Sequence, residues 1–201
     1  MRSDICEFQK GGRGLEAILA EVEKVTVYNA LSKKSALRLR LLTEELAGML
    51  RELVDNFEGC FWLQNDGNKY ELHAELFVSE LSMEEKQALV DMSASKKNAA
   101  TTGFMGKIRE IAENMLLYSQ QLGVPIGYFS AGDYLNDYSF AGINYVYAWT
   151  LDNYVAQHKE KMVSKGEEWD QLEKSIVANL ADDVIVGVKG QRVEIVIKKE
   201  F

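Results

Sequence analysis

The segment Asn65-Asp66-Gly67-Asn68 narrows the possible folds of this chain more than any other feature. It is a strong hairpin-turn signal lying between two strand-like runs. Cys60-Phe61-Trp62-Leu63 precedes it. After it, Tyr70, Leu72, Ala74, Leu76 and Val78 alternate with Glu71, His73, Glu75 and Phe77, the period of a half-buried strand. Residues 60–78 are therefore expected to form a β-hairpin, and the rest of the chain must cover its apolar side.

The flanking segments carry a helical period instead. Gly-Gly-Arg-Gly at 11–14 reads as a flexible lead, followed by Leu15, Ile18, Leu19, Val22 and Val25 at helical spacing, a first helix reaching to about Leu31. The polar break Ser32-Lys33-Lys34 precedes a second helix, where Leu39, Leu42, Leu46, Met49, Leu50 and Leu53 form one apolar stripe ending near Asn56 or Gly59. Beyond the hairpin, Ser82-Met83-Glu84-Glu85 has the form of a capping box and should open a short helix. Residues 93–103 are small and polar without periodicity and read as a mobile loop. A third long helix follows, with Phe104, Ile108, Ile111 and Met115 on one face.

Seven of the nine tyrosines crowd into residues 118–154, together with Phe129, Phe140, Trp149 and the only proline, Pro125. The crowding is compatible with a satellite core over one end of the sheet or with a protein interface. Residues near 145–163 and 167–180 are expected to be helical. The chain closes on Val184–Val188, a turn at Lys189-Gly190-Gln191-Arg192, and Val193–Ile197, a second hairpin.

Composition limits the partners. At 201 residues the chain suits one substantial core, and a net charge of -8 argues against a nucleic-acid backbone as the main partner. Cys6, Cys60, His73 and His158 show no metal-ligand spacing and no disulfide framework, so no metal site is expected. No apolar stretch approaches a membrane span and the amino terminus lacks a signal-peptide core, so a cytoplasmic protein without a membrane partner is expected.

The order of helix, helix, hairpin, short helix, polar loop, helix and terminal hairpin resembles the gyrase, histidine-kinase and MutL type of ATP-binding domain in its small anti-sigma-factor form. Leu41-Leu42-Thr43-Glu44-Glu45-Leu46 is similar to the helix carrying that family's Glu-x-x-x-Asn motif. Thr102-Gly103-Phe104-Met105-Gly106-Lys107-Ile108 is similar to the glycine motif after its lid. Asp183–Val186 and Val193–Ile195 resemble its closing strands. The likeness covers about 15–116 and 180–200 of a single domain, 1–201, and leaves 117–179 as an aromatic-rich insertion.

The resemblance implies an α+β fold, a two-layer sandwich of a mixed, mostly antiparallel sheet with helices packed on one face. It also implies ATP with Mg2+ as cofactor, an ATP-dependent serine kinase activity or partner sequestration, a protein partner, and room for a homodimer. Glu45 matches the family's catalytic Glu, though a solvated helix face explains Glu44 and Glu45 equally. Four residues past Glu45 stands Met49, a poor ligand for a hard cation, and setting the register on Glu44 puts Gly48 there.

After the strand, Ser79-Glu80-Leu81-Ser82 holds neither the Asp nor the glycines of the adenine-reading motif, and Asp66-Gly67 reads as turn chemistry. Gly103 and Gly106 at a helix start, with Lys97 and Lys107 nearby, form either an anion site or a tight loop-to-helix join. The expectation is a regulatory protein with weak or lost ATP binding and kinase activity. The alternative is a pseudo-ATPase interaction module that binds no nucleotide.

Overall fold

A computed structural model describes residues 1–9, 14–52, 57–78, 112–113, 115–116, 147–153, 155, 176–189 and 191–201. In chain order these form β1 (Cys6–Gln9), α1 (Leu15–Tyr28), α2 (Lys33–Glu52), β2 (Phe57–Asp66), β3 (Lys69–Val78), β4 (Tyr147–Thr150), α3 (Ile176–Leu180), β5 (Asp183–Lys189) and β6 (Arg192–Glu200). Ala112, Glu113, Met115 and Leu116 are helical as well, within the expected third helix. The capping-box helix at Ser82, the loop 93–103 and most of the tyrosine-rich stretch lie outside the described residues.

The fold is α+β. The six strands among the described residues form one open sheet in the order β1-β2-β3-β6-β5-β4. All five neighbouring pairs are antiparallel, where a mixed, mostly antiparallel sheet was expected. Hairpins account for two of these pairs, and β6 returns beside β3 in the opposite direction rather than through a parallel crossover. The β2–β3 turn is a two-residue loop at Gly67-Asn68, and Gly67 takes the positive φ of 57° that such a turn demands.

Most of the helical stripes predicted from spacing bury; Leu19 is only partly buried, and the side chains of Leu15 and Leu53 lie outside the described ones. Ile18, Val22 and Val25 of α1 and Leu39, Leu42, Leu46, Met49 and Leu50 of α2 join Phe61, Leu63, Leu72, Leu76, Val186 and Ile195 in one apolar cluster. Ala112 and Leu116 enter the same cluster, and Met115, expected on the buried face, is only partly buried. Inside α2, Thr43 is fully buried and its hydroxyl donates to the Leu39 carbonyl at 2.8 Å, so the core keeps no unpaired hydroxyl there.

Two elements differ from expectation. Cys6–Gln9, to which the sequence pattern assigned no element, is a sheet-edge strand paired to β2. Tyr147–Thr150, expected to be helical, is a strand paired to β5, and the helical residues begin at Leu151. Thr150 marks the switch, since its Oγ1 accepts from the Asn153 N–H at 3.2 Å, a helix-start cap. Both strands have four residues, too few for a period of two to stand out.

Backbone constraints fix the junctions. Gly14, expected to be part of a flexible lead, sits in the left-handed region at φ 87° against the β1 backbone, where a Cβ would run into the Glu7 carbonyl oxygen. Gly59 lies opposite Phe8, and a Cβ there would stand 2.5 Å from the Phe8 ring and 2.9 Å from the Glu75 carbonyl oxygen. The α1–α2 turn is closed by Leu31 N–H to Thr26 carbonyl and Ala30 N–H to Val27 carbonyl bonds, both 3.0 Å, with Ala30 at φ 49°. Ser32 then caps α2, its hydroxyl accepting from the Ser35 N–H at 3.1 Å.

Two stability outcomes follow from these junctions. Ala30→Gly should stabilise the protein by about 0.5–1 kcal/mol in urea unfolding, because relief of a left-handed alanine exceeds the added flexibility of glycine. Gly59→Ala should destabilise it by about 1–3 kcal/mol, since the Phe8 ring and the β3 backbone must both yield. A neutral result at Gly59 would mean that Phe8 is free to move aside.

Candidate functional site

The sites expected from sequence are brought together only in part. Glu45 is half-buried on α2, and its neighbour Glu44 points to solvent and holds Arg40 at 2.9 Å. Met49, one turn on from Glu45, is 4% exposed and belongs to the apolar core. Gly103, Gly106, Lys97 and Lys107 lie outside the described residues. Asp66-Gly67 does serve the hairpin turn. Among the described residues no group of three or more His, Cys, Asp or Glu side chains is arranged to hold a metal ion.

The structure adds two features. The first is on the sheet face opposite α1 and α2. Register places Trp62, His73, Val196, Ile185 and Thr150 in one row across five strands. Each is buried, so the centre of this second face is closed to solvent as well. His73 is 4% exposed, with Nδ1 3.3 Å from Glu194 Oε1 and Nε2 3.3 Å from Glu71 Oε2. Its ring stacks on Trp62 at 4.8 Å, and the Arg2 guanidinium lies 4.5 Å from the Trp62 ring centre on that indole.

The cross-strand pairing explains why cations gather here. Glu75 on β3 stands directly opposite Glu194 on β6, a like-charge pair that the sheet would otherwise pay for. Arg192 binds Glu75 at 2.6 Å and His73 faces Glu194, so each carboxylate has a partner. Lys198 stands 3.6 Å from Glu71 on the other side. Burial works against a charged imidazole, but the hydrogen bonds its N–H groups donate to Glu194 and Glu71 outweigh it and raise the His73 pKa. Only the imidazolium has an N–H for both carboxylates. Glu71 is correspondingly lowered, chiefly by its hydrogen bond with His73.

The second feature is an open groove between α1 and α2, of about 430 Å³. Leu19, Ala20, Val22, Ala36 and Leu37 give it apolar walls, and Glu23, Lys33 and Arg40 supply charge. Leu37 is 57% exposed, and Val27 and Tyr28 at the end of α1 are 75% and 77% exposed. Periodicity identified the buried faces of both helices. It named Leu19 and Val22 but not Leu37, Val27 or Tyr28, because these outer apolar positions are few and lie off the main stripe.

His73 has a testable pH signature. Its folded pKa is raised above the ordinary value, so its stabilising contribution is full below the unfolded pKa and is lost as pH rises through the folded one. The stability gap between wild type and His73→Asn should therefore shrink across that window, and the imidazole should titrate above about 6.5 by NMR. A titration at or below that value would show that the neutral ring is the stable form.

No family model, no curated protein and no solved structure matches this chain. Its functional reading therefore rests on the residues and geometry above.

Proposed function

We propose that this chain is a regulatory protein-interaction module on a histidine-kinase-like scaffold, with weak or lost nucleotide binding and kinase activity. The observation that carries this reading is the α1–α2 groove. It is open, walled by Leu19, Ala20, Val22, Ala36 and Leu37, and Leu37 is one of the seven large hydrophobic side chains exposed among the described residues. An exposed leucine set in an open, largely apolar groove is the kind of feature that protein contact surfaces use.

The scaffold half of the reading is supported by α1 and α2 packing with one side of an antiparallel sheet and by Glu45 standing half-buried on α2. Loss of magnesium-dependent chemistry is supported by Met49. Its thioether packs among apolar side chains, where the resemblance calls for an oxygen-bearing Asn.

Calorimetric titration with ATP and ADP, with and without magnesium, tests the nucleotide half. The expected outcome is no saturable heat at millimolar ligand, which places any Kd above about 1 mM, or weaker than about 4.1 kcal/mol. Tight Mg-ATP binding with phosphate transfer to a partner would establish the kinase reading instead. Hydrogen exchange on a captured complex tests the interaction half. Protection should appear along Leu19–Tyr28 and Lys33–Arg40, and protection confined to other elements would sink the assignment.

A further inference from the structure

Strand pairing changes register at the start of the chain. Cys6 stands opposite Phe61, and Arg2 stands opposite Gln64. Ser3, Asp4 and Ile5 therefore face only Trp62 and Leu63, so the segment carries one extra residue, a β-bulge. Residues two apart share a face of a strand. An unbroken ladder would thus set Arg2 on the side of Cys6 and Phe8, against α1 and the apolar core. The extra residue turns Arg2 to the other face, where its guanidinium lies on Trp62 at 4.5 Å.

The bulge is held from the α1 side as well. Glu21 is buried, its Oε1 accepts from the Asp4 N–H at 3.2 Å, and its Oε2 accepts from Lys24 Nζ at 2.7 Å. Along the β2 edge, the Ser3 N–H donates to the Leu63 carbonyl at 2.8 Å and Ser3 Oγ accepts from the Leu63 N–H at 2.9 Å. The Met1 carbonyl accepts from the Asn65 N–H at 2.8 Å. Little apolar burial adds to these polar contacts. Met1, Arg2, Asp4 and Ile5 are all exposed, whereas Phe8 of β1 is buried in the core.

We propose that residues 1–5 form a latched strap that opens as one unit, ahead of β1, and bares Trp62 and the β2 edge at Leu63 and Asn65. Its two latches lie on opposite faces of the sheet, Arg2 on the indole and Glu21 on the Asp4 N–H. The bulge is what lets one short segment reach both. Segments with few buried apolar contacts open locally at low free energy, so release of the strap precedes global unfolding. β1 stays in place because Phe8 anchors it. Opening frees the strap-facing N–H groups of Leu63 and Asn65 and the Leu63 carbonyl, a strand edge with unpaired backbone groups. The strap shares no residue with the lining of the α1–α2 groove, and neither assignment depends on the other.

Hydrogen exchange on the full chain, read amide by amide by NMR, tests the strap. The Ser3, Asp4, Leu63 and Asn65 amides should share one protection factor, about tenfold or more below those of the β3–β6 ladder. Arg2→Ala, at an exposed position, should lower all four together by about 2–5-fold, the worth of an exposed cation–π contact. Glu21→Ala should lower the same four by about tenfold or more, because it removes a charged acceptor. Glu21→Gln keeps an oxygen for the Asp4 N–H and should fall between wild type and Glu21→Ala. The β3–β6 ladder should exchange as in wild type in every variant.

The decisive readout is the reach of each change across the sheet. If Arg2→Ala leaves the Asp4 amide unchanged, or Glu21→Ala leaves Leu63 and Asn65 unchanged, the segment loosens residue by residue and the strap is overturned. Exchange of these four amides only at the rate of global unfolding overturns it as well.

Discussion

β3 hydrogen-bonds to β2 through a two-residue turn and to β6 from the far end of the chain. Everything else in the described fold depends on that second pairing. It brings Leu72 beside Ile197 and Ala74 beside Ile195, so that one continuous apolar face exists for α1 and α2 to cover. Neither hairpin buries enough by itself, since a lone two-stranded hairpin is marginal in water. The long loop closed by β3–β6 costs chain entropy, and the shared core of both hairpins and the helices repays it.

The same pairing creates the charged centre of the opposite face. Bringing β6 to β3 sets Glu194 against Glu75, and the sheet resolves the conflict with Arg192 and a buried His73. Stability and chemistry are thus coupled at one register. A slip of one residue would turn these charged side chains into the apolar layer and set Leu72 and Ile195 on the charged face, so the arrangement also specifies the register strongly.

The two faces of the helical layer divide the labour differently. The inner faces of α1 and α2 build the core, including Met49 at the position where the histidine-kinase resemblance would have a magnesium ligand. The outer faces meet in an open groove walled by Leu19, Ala20, Ala36 and Leu37.

By itself the sequence determined the elements whose pattern is local and long enough to read. The stripe from Leu39 to Leu50, the turn at Gly67 and the Val-rich ending each declare their structure through period and turn chemistry, because side-chain direction repeats every 3.6 or 2 residues. The short strands Cys6–Gln9 and Tyr147–Thr150 were not legible, since four residues carry almost no period and each is held by its neighbour in the sheet. The candidate sites were less legible still. Glu45 could be named from its spacing, but the union of His73 with Glu194 requires β3–β6 register, and the groove requires two helices side by side. Such features are made by long-range packing, so only the tertiary structure could decide them.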